Sequence, residues 1–135
     1  MIYIIDHKDS FTHNVVHQFE NFDDVTCDNY NEINESKLKK SKVIVFSPGP
    51  GAPKDYPISS NIYKRFKGKK KIIGICLGFQ QILYCEKGKI IKQKKIFHGY
   101  QSKIKVTGEN SLFKKNRKFN VGRYHSLKLK EPFFA

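Results

Sequence analysis

Apolar residues come in two spacings along this chain, and the change of spacing marks two regions. Residues 2–5 and 72–75 are short, continuous apolar runs that read as buried strands. Residues 42–47 form a third run of this kind, and residues 25–30 a shorter strand. Between them the spacing turns helical. Phe11, Val15, Val16 and Phe19 predict a helix that Asp9 or Ser10 can cap. Residues 32–40 predict a short polar helix. Residues 58–66 predict another, with Ile62 and Phe66 inward and Gly68 ending it, and residues 79–87 a fourth that Gly88 stops. Strand and helix thus alternate four times, which argues a parallel sheet with right-handed crossovers. Beyond Gly88 apolar and basic residues alternate singly. Strands are expected at 89–92, 102–106 and 120–129, with a short helical turn at 111–113. The fold class is therefore α/β: a mostly parallel open sheet, helices on both faces, and a smaller antiparallel segment, all in a single domain over 1–135.

That topology places candidate chemistry. In open parallel sheets, sites lie at the carboxyl ends of the strands. Residues 6–10, 47–51 and 76–78 all fall there. The last carries Gly74-x-Cys76-x-Gly78 between a strand and a helix, the shape of a nucleophile elbow with Cys as nucleophile. Glycines on either side let strand and helix backbones approach, since a Cβ at either position would clash. The turn sets the Cys76 thiol at a helix N-terminus, where dipole and free N–H groups favour thiolate. The Leu77 N–H then points at an oxyanion formed by attack from Cys76. Residues 47–53, Ser-Pro-Gly-Pro-Gly-Ala-Pro, form a stiff loop with no room for helix. Prolines lack N–H, so Gly49 and Gly51 stand out as donors that a ligand can approach closely. The bland alternatives are a small core Cys and an ordinary strand-to-helix turn.

Composition narrows the class without naming the chemistry. The formal charge is +14, with Lys dominant and spread through the chain. Neither an aromatic-basic ribonucleoprotein motif nor helix-turn-helix spacing accompanies it, so it reads as a Lys-rich solvated surface. It also suits an acidic partner or anions. Three cysteines, Cys27, Cys76 and Cys85, are an odd number without metal-ligand spacing, as expected of free thiols in a reducing cytoplasm. There is no apolar run long enough for a membrane helix, and Met1 leads directly into a strand without a basic leader. A cytoplasmic location is expected.

Several motifs combine into a family likeness. Asp6-x-x-Asp9-Ser10-Phe11-Thr12-x-Asn14, Ser47-Pro48-Gly49-Pro50-Gly51, Gly74-Ile75-Cys76-Leu77-Gly78-Phe79-Gln80, His98-Gly99 and Arg123-Tyr124-His125-Ser126-Leu127 occur in this order. Together they resemble the triad-type, class I glutamine amidotransferases, whose fold is flavodoxin-like. The likeness is greatest to the small subunit of anthranilate synthase or aminodeoxychorismate synthase, enzymes of tryptophan and folate biosynthesis. It implies that Cys76 is the nucleophile and Leu77 an oxyanion donor. It implies also that Gly49, Pro50, Gly51, Gln80, Ser126 and Leu127 bind L-glutamine. The partner implied is a chorismate-binding synthase subunit faced by residues 9–14. No cofactor, metal, nucleic acid or membrane enters the expected chemistry.

Two departures from the family pattern follow. Phe79 stands where relatives commonly carry His, a change expected to affect packing. Relatives complete their triad with a His-x-Glu spacing near the end of a longer chain, and these residues end before it, so the domain is expected to be incomplete at the C-terminus and inactive alone. His98 and His125 belong to other motifs. Two further readings stay open: a truncated, inactive homologue with a binding or scaffolding role, and a basic nucleic-acid-binding protein.

Overall fold

The computed structural model describes residues 1–133. Two compact units divide the chain, residues 1–91 with the terminal stretch from 129, and residues 92–128.

The first unit holds four parallel strands: β1 (Ile2–Asp6), β2 (Val25–Asn29), β3 (Val43–Phe46) and β4 (Lys71–Gly74). Their order across the sheet is β2-β1-β3-β4. The helices are α1 (Thr12–Glu20), α2 (Glu35–Lys40), α3 (Pro57–Phe66) and α4 (Leu77–Cys85). Strand periodicity of two sends alternate residues to opposite faces. Tyr3, Ile5, Ile44 and Phe46 face one side, where Leu38, Ile62, Tyr63, Ile82 and Cys85 of α2, α3 and α4 cover them. Ile2, Ile4, Val43 and Val45 face the other, covered by Val15, Val16 and Phe19 of α1. Each fully buried Ile in these layers contributes about 2 kcal/mol through removal of apolar surface from water. The chain reverses its direction across the sheet at β1 and β3, a topological switch point where loops diverge and leave a crevice.

The sheet corrects one expectation. Residues 72–75 were expected as a buried strand, yet Ile73 of β4 is 40 % exposed. Ile73 pairs with Val45 and so lies on the face that α1 covers. One helix is too narrow to reach across to β4, which stands at the edge of the sheet.

Helix boundaries shift for local reasons. Thr12 starts α1, and Phe11, expected inward, is its N-cap and 64 % exposed. Neither Asp9 nor Ser10 caps the helix. Asp9 Oδ1 instead accepts the Phe11 N–H at 2.7 Å, closing a turn ahead of it. The helix expected over 32–40 begins at Glu35, because Asn34 Oδ1 accepts the Lys37 N–H at 3.0 Å and is the N-cap. At the end of α4 the left-handed residue is Lys87, with φ 67°, while Gly88 N–H closes back on the Leu83 carbonyl at 2.7 Å.

The two strands expected at 89–92 and 102–106 are one, β5 (Ile90–Lys105), paired with β6 (Lys118–Leu129). Bonds from Lys130 N–H to the Lys89 carbonyl and from Val106 N–H to the Arg117 carbonyl make the pair antiparallel. Sixteen residues face twelve, so the longer strand must bulge, and Gly99 with φ 75° supplies a residue suited to it. The helical turn expected at 111–113 is absent. Asn110 Oδ1 accepts the N–H groups of Leu112 and Phe113 and holds that stretch as a bend. The charge is less evenly spread than the sequence suggests. Eleven of the 26 Lys and Arg residues, but only one of the 12 acids, Glu109, lie in residues 92–128.

Candidate active site

Three loops meet at the carboxyl ends of β1, β3 and β4. The glycines report the closeness of the meeting. A Cβ on Gly49 would lie 2.5 Å from His7 Cβ and 2.8 Å from Leu77 Cδ2, so this residue joins all three segments. A Cβ on Gly78 would lie 2.1 Å from the Phe46 carbonyl oxygen, and one on Gly74 would lie 2.5 Å from that of Gly78. Both elbow glycines are therefore sterically required, as the sequence pattern suggested.

Cys76 stands at the apex of the elbow with φ 52° and ψ −108°, a strained conformation for a residue bearing a Cβ. It is the N-cap of α4, whose Gln80 N–H donates to the Cys76 carbonyl at 3.1 Å. The residue is exposed. Its thiol departs from the expected thiolate preference. Partial desolvation pushes its pKa above the ordinary thiol range, the Leu77 N–H pulls it down, and the Asp9 carboxylate adds to the rise. Desolvation is the largest of these and sets the direction, because one N–H group cannot replace lost hydration. Among the described residues, the groups that act on the sulfur are the Leu77 N–H and the Asp9 carboxylate, with no imidazole. Alkylation of Cys76 in these residues should therefore gain rate with pH up to an inflection above the ordinary thiol value of about 8.5. An inflection at or below neutrality, followed by mass-spectrometric mapping, would contradict this. Cys27, also exposed, should label more slowly, because partial desolvation, with Asp6 and Asp28 beside it, pushes its thiol up to about 11.

The loop after β3 leaves backbone donors unpaired. Among the described residues, the N–H groups of Gly49 and Gly51 donate no hydrogen bond within the chain. Gly51 has φ 77°, and the Pro50 carbonyl is taken by the Tyr56 hydroxyl at 2.7 Å. Asp55 Oδ2 accepts the Ala52 N–H at 2.9 Å and closes the loop. Gln80 lies half-buried in the first turns of α4, and Phe79 beside it is 55 % exposed. Ser126 and Leu127 lie on β6 in the other unit. Ser126 is exposed, and the Leu127 carbonyl lies 3.3 Å from Gln93 Nε2. Nearby, the Arg123 guanidinium covers the Phe97 ring at 3.5 Å. Among the described residues, no three His, Cys, Asp or Glu side chains gather as a metal site.

Sequence reasoning missed how polar side chains hold the loops, above all the buried His7 and Gln81. Asp6 Oδ1 accepts from the Lys8 N–H at 2.9 Å and the Thr12 hydroxyl at 2.8 Å, which fixes the turn after β1. Gln81, fully buried, donates from Nε2 to Ser60 Oγ at 2.6 Å and to the Pro53 carbonyl at 3.2 Å, tying α4 to α3. His7, fully buried, lies between Ser47 and Ser59. No spacing rule distinguishes these from solvated polar residues; their signal is only that each adjoins an apolar run.

Burial lowers the pKa of His7 from the ordinary 6.5 to about 4. The unfolded chain takes the proton near 6.5 and the folded chain resists it until about 4. Stability from this source is complete above the upper value and is lost as pH falls through the window, by up to about 3 kcal/mol. Urea midpoints at pH 7.5 and 4.5 should therefore differ more in the wild type than in His7→Asn. Equal differences would contradict the assignment.

Comparison with known proteins places this geometry. Residues 3–134 match the family model of class-I glutamine amidotransferase. Anthranilate synthase component 2 of Lactococcus lactis is 38% identical, over 100% of this chain and 71% of that protein. Aminodeoxychorismate synthase component 2 of Escherichia coli is 35% identical, over 94% of this chain and 70% of that one. A glutamine amidotransferase from Thermotoga maritima shares the fold, with a TM-score of 0.70 at 16% identity, over 96% of this chain and 61% of that chain. A glutamine amidotransferase from Methylobacillus flagellatus does so with a TM-score of 0.76 at 11% identity, over 98% and 57%. The chain thus spans between about a half and three quarters of the length of these proteins. With an elbow cysteine, a Pro-Gly loop against it and the matching order of motifs, the chain belongs to the class-I glutamine amidotransferases.

Proposed function

We propose that this protein is the glutamine-hydrolysing subunit of a chorismate-using synthase, delivering ammonia for anthranilate or 4-amino-4-deoxychorismate formation. The observation that carries this reading is the strained elbow at Cys76, with Gly49 of the Pro-Gly loop packed closely against Leu77 beside it. In the proposed reaction, Cys76 thiolate attacks the side-chain carbonyl carbon of L-glutamine. The Leu77 N–H and those of Gly49 and Gly51 stabilise the oxyanion, each such donor typically contributing about 3 kcal/mol. The C–N bond breaks, the leaving nitrogen takes up the proton that the Cys76 thiol gave up and departs as ammonia, and a glutamyl thioester remains. Water then attacks the thioester, releasing glutamate and restoring the thiol. Gln80, Ser126 and Leu127, with the backbone of Pro50, keep the glutamine-binding roles that the likeness gives them. The relatives' names, component 2 of two synthases, support a partner subunit of the component 1 kind. Among the described residues, no helix is long and apolar enough to cross a membrane.

The partner surface proposed is residues 9–14, where Phe11 stands 64 % exposed. A large aromatic anchor buried at an interface costs about 2 kcal/mol or more when removed. Phe11→Asp should therefore weaken association with the synthase component about 30-fold or more by calorimetry. Unchanged affinity would move the interface elsewhere. The whole reading is tested by pairing the protein with its synthase component. Glutamine-dependent product should appear only in the pair, while the synthase alone should use added ammonia. A pair that binds but never uses glutamine would leave the protein with a scaffolding role.

A further inference from the structure

We infer that His7 is a positioning residue that fixes the 49–51 backbone against the Cys76 elbow, setting the oxyanion donors in place before substrate arrives. This rests on the glutaminase reading of the site. His7 follows β1 directly and is fully buried beneath the Pro-Gly loop. Its main chain and side chain hold that loop in different ways. The His7 N–H donates to Ser47 Oγ at 2.9 Å, and Ser47 Oγ donates in turn to the Pro48 carbonyl at 2.7 Å. The ring Nδ1 lies 3.2 Å from the Ser47 carbonyl and Nε2 lies 2.8 Å from Ser59 Oγ. A carbonyl can only accept, so Nδ1 carries the proton and Nε2 accepts from the Ser59 hydroxyl. Every polar atom of the ring is then satisfied in its neutral form.

The hold continues to the reacting loop. Gly49 leaves no room for a Cβ between His7 and Leu77, so any shift of His7 moves the Gly49 peptide relative to the elbow. The Tyr56 ring meets the imidazole edge-on at 4.7 Å, and its hydroxyl grips the Pro50 carbonyl. Tyr30 lies nearly parallel to the imidazole at 6.1 Å and meets the Tyr56 ring edge-on at 4.9 Å, bracing it. Asp6, Tyr30 and Tyr56 are the titratable neighbours of the imidazole. Among the described residues Gly49 and Gly51 donate no hydrogen bond, so the loop's geometry depends on these anchors and on the closure at Ala52 by Asp55. Oxyanion donors act only where they are held, since preorganisation removes the reorganisation cost at the transition state.

The test compares His7→Ala, His7→Asn and His7→Phe in the whole protein. Asn retains a donor at the position of Nδ1, and Phe retains volume alone. Without any need for activity, nitrogen-15 NMR of the wild type should show the neutral Nδ1–H tautomer. Amide order parameters at Gly49 and Gly51 should fall from about 0.85 to below about 0.6 in His7→Ala and His7→Phe, and recover in His7→Asn. With the synthase component, kcat for glutamine should drop about 30-fold in Ala and Phe with KM nearly unchanged, and recover within about threefold in Asn. An Nε2–H tautomer, rigid glycines in His7→Ala, or rescue by Phe equal to that by Asn would overturn the inference. If the wild-type pair releases no glutamate, the glutaminase reading fails, and the NMR measurements still decide whether His7 holds the loop. Should His7→Ala not fold, the wild-type tautomer and the comparison of Asn with Phe decide it.

Discussion

A protein consisting of these 135 residues alone, mixed with its synthase component, is expected to release glutamate no faster than its Cys76→Ser variant. The reason lies at the sulfur. Desolvation and the Asp9 carboxylate hold the thiol above its ordinary pKa, and the Leu77 N–H only partly opposes them. A triad imidazole would reverse that balance by forming an ion pair with the thiolate, and would also hand its proton to departing ammonia. Removing one member of such a unit typically costs about 10⁴-fold or more, because the members act together. Adding a segment that carries the His-x-Glu pair implied by the family likeness should restore turnover and lower the inflection of Cys76 alkylation together. Glutamate release above the Cys76→Ser control would show that a histidine within this stretch, or one from the partner, serves as base.

Gly78→Ala should destabilise the first unit by about 3 kcal/mol or more, with Gly74→Ala following it. The cause is backbone meeting backbone. The new methyl would lie 2.1 Å from the Phe46 carbonyl oxygen, at the end of a central strand with no freedom to withdraw. Relief requires α4 to move away from β3, which also shifts Leu77 and Cys76 at its start. Activity should therefore fall together with stability. Gly108→Ala is the control, since a Cβ there meets nothing within 4 Å, and its urea midpoint should stay close to that of the wild type. A Gly78→Ala protein with unchanged midpoint would mean that the elbow is looser than the geometry indicates.

Much of this arrangement was readable from residue pattern. Continuous apolar runs revealed β1 and β3 because both faces of those strands are covered, and Gly68 and Gly88 marked the ends of α3 and α4 to within a few residues. The same rule failed at β4. An apolar run reports that a strand is able to be buried, and whether a helix reaches it depends on the order β2-β1-β3-β4, which no local pattern encodes. The hairpin failed differently. His98, Gly99 and Tyr100 break the alternation, so one bulged strand looked like two. At the site, Cys76, Gly49 and Gly78 were legible because glycine spacing has a steric meaning. His7 and Gln81 were not, since their importance comes from partners 40 and 28 residues away. The thiol's raised pKa was missed for a related reason: a helix N-terminus is visible in sequence, while the desolvation that outweighs it is not.

In the proposed reaction Cys76 attacks the side-chain carbonyl of glutamine from the elbow. The most direct measurement is covalent trapping in the whole protein paired with its synthase component. The probe is a glutamine analogue with a diazoketone in place of the amide, and tryptic mass spectrometry locates the adduct. The expected result is a single adduct on Cys76, formed with loss of nitrogen, suppressed by excess L-glutamine and absent in Cys76→Ser. Labelling of Cys27 or Cys85 instead, or labelling of Cys76 that glutamine does not suppress, would contradict the account.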